Sequence, residues 1–384
     1  MNTTPSIPLM VLLMMFPQIV ETLYSPALPY IAAGFGVPLA LAGQTLSIYF
    51  LAFAAGVVCW GILCDYFGRR RTMLIGLMLY GIAAFAALWV PSFEWLLAMR
   101  ALSAFGAAVG SVVTQTMLRD SFDGPSLAKV FTYMGMGIAI SPVVGMFSGG
   151  LLASLGGYRA VFLCLCLLAL LLGAVCLSAL PETQPKTQPE PQPASRQTRP
   201  LWSLTLRMAT DSKIWHSAAL VAGFNVLLFS YYLQGPFLFQ RLELSTQAFG
   251  YSGLVLAAGT LVGSLLNKAL LRRALPQPRL LQLASLLALI GAFGVYLFET
   301  QLGFLLPMVL IVTAFGIAIP NILSQALVDY RAQAGAAGAL FGLTYYLMIA
   351  LGLALVSQSE QLGGPLVITA LLLGLGIWGK GLKA

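Results

Sequence analysis

Two ionisable residues lie inside long apolar stretches of this sequence, Glu21 and Arg100. A carboxyl group held away from bulk water can bind and release a proton, or hold a cation once it is deprotonated. Glu21 therefore has the chemistry that proton coupling requires, and a hydrated carboxylate without that role is the alternative. An arginine inside a membrane helix costs at least about 2.5–3.5 kcal/mol unless it is paired or hydrated. We expect Arg100 to face the interior of a helix bundle, and reaching the outer membrane interface is the alternative.

The composition indicates which elements position these two side chains. Of 384 residues, 59% are hydrophobic and 8% are charged, and the mean hydropathy is +0.90. A soluble domain carries about 25% charged residues, and disordered segments combine high charge with few large apolar groups. A soluble enzyme and a disordered chain are both excluded, so we predict an all-α integral membrane protein.

Apolar runs separated by charged or Gly/Pro-rich gaps predict twelve membrane-spanning helices. These helices are expected to form two six-helix bundles, residues 1–180 and 214–384, joined by a Pro/Gln-rich cytoplasmic linker at 181–213. The predicted spans are approximately 8–32, 44–64, 72–90, 95–118, 128–154, 159–180, 214–238, 247–270, 279–298, 303–326, 336–357 and 362–380.

The distribution of basic residues predicts the orientation in the membrane. With the N-terminus in the cytoplasm, every Lys and Arg falls on the cytoplasmic side except Arg100, Arg159 and Arg241. Basic residues are retained on that side during insertion, so both termini and the linker are expected there. The net charge of +8 is thus a topology signal and not a surface for nucleic acid. The sequence contains neither a metal-ligand pattern nor a cofactor fingerprint.

The segment at the end of the second span has the most specific spacing in the sequence. It matches the loop signature G-x-x-x-D-x-x-G-R-R/K of the major facilitator superfamily through Gly61, Asp65, Gly68, Arg69 and Arg70. We expect Asp65 to meet the start of the eleventh span near 335–338, and the arginines can pair with Asp120. The resemblance implies a conformational latch that joins the two halves in the outward-facing state. A plain basic loop that follows the positive-inside rule is the alternative.

Small and polar residues at corresponding positions in the two halves support the same resemblance. Gly61 and Asp65 at the end of the second span have counterparts in Gly263 and Asn267 at the end of the eighth. Parallel repeats of this kind are known from major facilitator transporters. They predict a substrate cavity between the halves, near the middle of the membrane.

Two other stretches are similar to helix motifs of that superfamily. Arg100 begins a stretch that resembles the R-x-x-Q-G-x-G pattern of the fourth helix, whose arginine is implicated in proton coupling. Gly137, Pro142 and Gly145 lie in a stretch that resembles the antiporter signature G-x-x-x-G-P-x-x-G-G of the fifth helix, which is found in exporters. A generic packing helix rich in small residues is the alternative.

The first span resembles the motif D-M-Y-L-P-A-L-P of the bicyclomycin-resistance (Bcr/CflA) drug exporters, with Thr22 at the position of the Asp and Glu21 one residue earlier. The resemblance implies a drug:proton antiporter that acts by alternating access, with Glu21 and Arg100 coupling export to protons and with no cofactor. A monomer in the bacterial cytoplasmic (inner) membrane is expected, with amphipathic small molecules, protons and the lipid bilayer as partners. A transporter of a metabolite such as a siderophore, sugar or amino acid is the alternative.

Aromatic and amide residues inside the spans are the candidate substrate-binding residues. Aromatic walls with a few polar groups suit amphipathic organic molecules, and a cation can rest on a ring face. The predicted set comprises Tyr49, Gln115, Tyr133, Asn225, Phe229, Tyr232, Asn321 and Tyr345. An enzyme is not expected, because the sequence offers a single histidine and a single carboxylate well inside the spans.

Overall fold

The structure is a computed structural model that describes residues 4–184 and 201–381. Most of the predicted linker, residues 185–200, therefore lies outside the described residues, as do the two chain ends. The described regular structure consists of α-helices and a few short 3-10 turns.

The first half begins with a span that is made of two helices and a 3-10 turn. Pro26 and Pro29 fall where α1 gives way to the turn Ser25–Ala27 and then to α2, and Gly36 ends α2 in the left-handed conformation. The helices of this half are α1 (Ile7–Tyr24), α2 (Leu28–Phe35), α3 (Leu39–Phe67), α4 (Arg69–Ala86), α5 (Phe93–Ser121) and α6 (Gly124–Ala179).

The second half opens with a short helix, α7, which carries exposed Trp202 and Leu206 beside the basic Arg207. This composition is typical of a helix that lies on a membrane surface. The helices of this half are α7 (Leu201–Thr210), α8 (Ser212–Arg241), α9 (Thr246–Arg272), α10 (Gln277–Phe298), α11 (Leu305–Ala326), α12 (Ala334–Val356) and α13 (Gly363–Gly381).

The twelve predicted spans are confirmed in the described part of the chain. Nine stretches there are long and apolar enough to cross a membrane. One of them lies within α6, which holds two spans because its backbone leaves the helical conformation at Gly156 and Gly157. The remaining two spans are α4, whose first turn carries three arginines, and the shorter α13.

The helices form two six-helix bundles whose most extensive contacts with each other involve two helix pairs. In the first half, α1 packs against α6 and α5, and α4 packs against α5 and α6. In the second half, α8 packs against α12 and α11, while α10 packs against α11 and α13. Between the halves, α3 packs against α12 and α6 packs against α9. A cavity between the bundles is therefore walled by helices of both halves.

The glycine-rich stretch of α6 is a packing surface. A Cβ on Gly137 would meet the side chains of Val11 and Met15 on α1, and one on Gly145 would overlap the Thr22 hydroxyl. Small residues let membrane helices approach this closely. Pro142 lies inside the same helix, whose non-helical backbone angles occur only later, at Gly156 and Gly157. The fifth-span motif thus fixes the distance between α6 and the helix that carries Glu21.

Two ends of the bundle are distinguished by charge. The end that holds the start of α1, the loop at Gly68 and the end of α13 also carries Arg69, Arg70 and Arg71. We call this end the basic face. The other end, which holds the end of α2, the break in α6 and the end of α12, is called the opposite face.

Candidate functional site

A cavity of about 140 Å³ lies between the two halves. Its walls come from α1 and α3 of the first half and from α8, α11 and α12 of the second half. The lining residues are Pro17, Gln18, Glu21, Tyr49, Phe50, Phe53, Val221, Asn225, Phe229, Phe315, Ile319, Leu323, Tyr345 and Tyr346.

Glu21 is a carboxylate on the wall of this cavity at the middle of the membrane. It is the central residue of the 29-residue first span, Ile7–Phe35, and only 3% of its surface is exposed. Its Oε1 atom is buried without a hydrogen-bond partner in the described structure. A buried carboxyl oxygen that lacks a partner is costly when charged, so a proton or a cationic ligand would stabilise it.

Arg100 lies behind this wall and is fully buried. Its guanidinium carbon is 3.7 Å from the centre of the Tyr24 ring and 4.9 Å from the centre of the Tyr49 ring. Cation–π attraction of this kind becomes stronger when the charge is desolvated. The three guanidinium nitrogens have no hydrogen-bond partner among the described residues. Arg100 therefore faces the bundle interior, as expected from the free-energy cost of an arginine inside a membrane helix, and does not reach the outer interface.

Tyr49 connects the cavity to the buried arginine. Its ring lines the cavity and also covers Arg100, and its hydroxyl donates a hydrogen bond to the Pro17 carbonyl at 3.1 Å. Glu21 and Arg100 form no ion pair within the described structure.

Aromatic rings from both halves face each other across the cavity. The centroids of Phe50 on α3 and Phe229 on α8 are 4.6 Å apart. Phe53 on α3 meets Tyr346 on α12 at 5.1 Å, and Tyr345 stacks obliquely on Tyr346 at 4.5 Å. Such walls bury flat apolar groups of a ligand.

The structure brings part of the predicted site together. Tyr49, Asn225, Phe229 and Tyr345 line the cavity with Glu21. The amide of Asn225 donates to the Val221 carbonyl at 2.8 Å, which leaves its oxygen as an acceptor.

The other predicted binding residues lie outside the cavity lining. Gln115 donates to the Ser111 hydroxyl at 3.3 Å, and Asn321 donates to the Asn267 side chain at 2.7 Å, within one half in each case. The ring of Tyr232 packs behind Phe229 at 5.7 Å. Tyr133 on α6 also does not contribute to the wall. These four residue types suit a polar cavity, but the rotation of each helix about its axis places the side chains away from it.

Several lining residues were absent from the predicted set, notably Gln18, Phe50 and Phe53, whereas Tyr346 was among the aromatic residues expected to line the cavity. A sequence signal existed for two of them. Gln18 precedes Glu21 by three residues and Phe53 follows Tyr49 by four, and such spacings place side chains on one helix face.

Contacts between the halves close the opposite face. The Ser25 hydroxyl donates to the Tyr232 carbonyl, and the hydroxyls of Tyr30 and Thr246 are 3.2 Å apart. The backbones of Gly150 on α6 and Gly250 on α9 touch, because a Cβ on Gly250 would lie 3.1 Å from the Gly150 Cα. The cavity lies on the basic-face side of this closure, where it is lined by Val221 and Leu323.

The loop signature forms a charge cluster on the basic face. Arg69 pairs with Asp120 at 2.8 Å and with Asp65 at 3.0 Å. It also donates to the Cys64 carbonyl at 3.0 Å. The Asp65 side chain is 67% exposed, and the side chains of residues 331–335 at the start of α12 lie outside the described ones, so its contact there stays a prediction.

Glu182 completes this cluster, and its role was not predicted. It follows α6 and accepts hydrogen bonds from the backbone nitrogens of Arg69 at 2.9 Å and Arg70 at 3.1 Å. These are the first residues of α4, whose N-terminal amides lack partners within the helix. The preceding Gly68 has φ +88°, and a Cβ there would lie 2.6 Å from Glu182 Oε2. Gly68 is therefore required for Glu182 to cap α4.

Replacement of Glu182 with alanine is expected to lower stability by about 0.5–2 kcal/mol, the usual cost of a lost N-cap. The apparent melting temperature of the purified protein in detergent measures this loss. Replacement of Glu360, an exposed acid on the opposite face, with alanine is the control and should leave the melting temperature unchanged. Equal melting temperatures for the Glu182 variant and the parent would contradict the capping role.

The family model of the Major Facilitator Superfamily matches residues 10–355 of the chain. A protein of Rickettsia bellii (strain RML369-C) named an uncharacterized transporter is 29% identical over 381 residues, which covers 94% of this chain and 93% of that protein. The Multidrug resistance protein D of Escherichia coli (strain K12) is 29% identical over 160 residues, or 42% of this chain and 41% of that protein.

A solved structure shares the fold at low sequence identity. The bacterial homolog of the human lysosomal transporter Spinster, in an inward-facing and unoccupied conformation, superimposes with a TM-score of 0.77 at 16% identity. The superposition covers 97% of this chain and 95% of that one. With two six-helix bundles, a cavity between them and a family model that matches nearly all of its spans, this chain belongs to the major facilitator superfamily.

Proposed function

We propose that this transporter is a proton-coupled antiporter that exports amphipathic small molecules across the bacterial cytoplasmic membrane by alternating access. The observation that carries the proposal is the position of Glu21, which lies on the wall of the cavity between the halves with Arg100 buried behind it. Among the residues that line this cavity, Glu21 carries the acidic side chain. One carboxyl group can thus hold either a proton or the positive end of a substrate.

The orientation follows from the basic residues. Because Lys and Arg are retained in the cytoplasm during insertion, the basic face is cytoplasmic. The cavity lies on that side of the closed opposite face, so this conformation is inward-facing and takes up cargo from the cytoplasm. Cargo that binds at the Glu21 carboxylate releases the proton to the cytoplasm. After the halves rock, a proton from outside rebinds Glu21 and the cargo leaves.

The cavity chemistry defines the substrate class. Phe50, Phe229 and Tyr346 offer flat apolar surfaces, Gln18 and Asn225 offer amide groups, and Glu21 offers a charge. Neutral or monocationic aromatic molecules match this combination. Relatives whose names refer to multidrug, chloramphenicol and bicyclomycin resistance support the same class. Each of these relatives covers less than half of this chain.

Transport into proteoliposomes tests the proposal. Purified protein is reconstituted, a pH gradient is imposed, and a panel of aromatic cations, neutral drugs, sugars, amino acids and siderophores is supplied. We expect gradient-driven accumulation of aromatic cations or neutral drugs, with proton movement in the opposite direction. Movement of a single metabolite class, or of substrate and protons in the same direction, would contradict the proposal.

A further inference from the structure

A second surface depression lies on the side of the protein that faces the bilayer. It has a volume of about 480 Å³ and is formed by α3, α5 and α12, so it bridges the two halves. Alanines form much of its lining, including Ala98, Ala101, Ala350 and Ala354, and Leu51 and Leu351 also line it. We call this depression the outer groove, because it lies between the middle of the membrane and the opposite face.

Two polar side chains of α3 lie in the outer groove without partners. Neither the Gln44 amide nor the Ser47 hydroxyl has a hydrogen-bond partner in the described structure. α3 has 29 residues and is therefore about 43 Å long, whereas the hydrocarbon layer is about 30 Å thick. Gln44 lies about 7 Å from the helix start, which places it near the boundary between hydrocarbon and headgroups. The polar headgroup region of the bilayer begins at this depth, so lipid ester and phosphate oxygens can accept hydrogen bonds from the amide.

A negative charge marks the outer end of the same groove. Glu94 lies in the first turn of α5, one turn before the groove residues Leu97 and Ala98 on the same helix face. Its side chain is exposed and accepts a hydrogen bond from the Ser92 hydroxyl at 2.6 Å. A hydrogen bond donated to a carboxylate favours its charged form, so Glu94 supplies a negative charge here. The basic residues of the predicted outer loops, Arg159 and Arg241, belong to neither α3, α5 nor α12.

We propose that the outer groove binds one phospholipid of the outer leaflet that carries an ammonium headgroup, as phosphatidylethanolamine does. Its acyl chain lies along the alanines, its ester or phosphate oxygens accept from the Gln44 amide, and its ammonium group lies against Glu94. A purely apolar occupant would leave Gln44 unpaired, and an anionic headgroup would be repelled by Glu94. Because both halves form the groove, the lipid stabilises the conformation in which the groove exists.

Native mass spectrometry tests this proposal with the full-length protein. The protein is released from nanodiscs that contain equal amounts of phosphatidylethanolamine and phosphatidylglycerol, and the retained lipid is identified. We expect one retained phosphatidylethanolamine in preference to phosphatidylglycerol. Gln44→Leu and Glu94→Gln should each reduce its retention about fivefold, the size expected for one lost hydrogen bond or ionic contact. Ala98→Phe, which fills the groove and keeps both polar groups, should abolish retention.

Matched control variants are available on other outer loops. Glu243→Gln and Gln301→Leu change an exposed acid and an exposed amide outside the groove lining, and both should retain the lipid as the parent does. Equal retention of the two lipids by the parent protein would overturn the proposal. Unchanged retention in both the Gln44 and the Glu94 variants would also overturn it. Because the readout is bound lipid, failure here is distinct from failure of the proposed transport activity.

Discussion

Replacement of Glu21 with glutamine is expected to reduce proton-driven export to the background rate. Glutamine keeps the size and polarity of the side chain but removes the group that titrates. No other acidic residue lines the cavity between the described helices, so no substitute carboxylate can exchange a proton for cargo. Export measured in inverted membrane vesicles under an imposed pH gradient gives this result directly. The variant should still reach the membrane, because a neutral side chain costs less there than a charged one.

Binding measurements separate coupling from recognition in this variant. Affinity for an aromatic cation should fall about tenfold, the value of a charge-assisted contact, while affinity for a neutral aromatic ligand should be retained. Cation binding to the parent should release a proton, and binding to the variant should not. Glu243→Gln, at an exposed position on the opposite face, is the control and should transport normally. Full export by the Glu21 variant would show that another group carries the proton.

Replacement of Gly250 with leucine should prevent closure of the opposite face. A Cβ at this position lies 2.8 Å from the Met146 carbonyl oxygen and 3.1 Å from the Gly150 Cα, both on α6 of the other half. Overpacking of this kind costs about 1–3 kcal/mol. The ratio of inward-facing to outward-facing molecules should therefore fall about 5–150-fold. Because the contact is between halves, each bundle keeps its own packing, and export should fall with the inward-facing population.

Distances between spin labels on the opposite face report this shift. We expect the distance between labels on α2 and α9 to lengthen in the variant and to match the distance in an outward-facing molecule. Gly374→Leu on α13 is the matched control, since a Cβ there meets nothing within 4 Å. Unchanged label distances in the Gly250 variant would mean that the backbones of α6 and α9 do not limit closure.

Residue spacing predicted part of the charge cluster on the basic face. The spacing of Gly61, Asp65, Gly68 and Arg69 identified the cluster, and the Arg69–Asp120 pair was anticipated from charge alone. Spacing did not reveal Glu182, because the loop that brings it to α4 is far away in the chain. The exposure of Asp65 also could not be predicted from spacing, since it depends on how the helices around it pack.

For the cavity, the sequence predicted where the helices lie in the chain but not how each helix is rotated about its axis. The hydrophobic pattern located each span, and the expected energetic cost placed Arg100 in the interior. The pattern did not specify which way each apolar helix is turned, because helices that are apolar on all sides carry little directional signal. Asn225 and Asn321 were equally good candidates by type, yet one lines the cavity and the other pairs with Asn267.

The sequence by itself determined the all-helical membrane architecture, the twelve spans and the residues whose charge must be explained. These conclusions follow from local quantities: apolar run length, the placement of Lys and Arg, and the cost of a charge in hydrocarbon. The tertiary structure alone decided that Tyr24 and Tyr49 cover Arg100, that Glu21 lies on the shared wall, and that α6 and α9 meet at glycines. Those facts depend on contacts between residues distant in the chain, which packing of whole helices establishes.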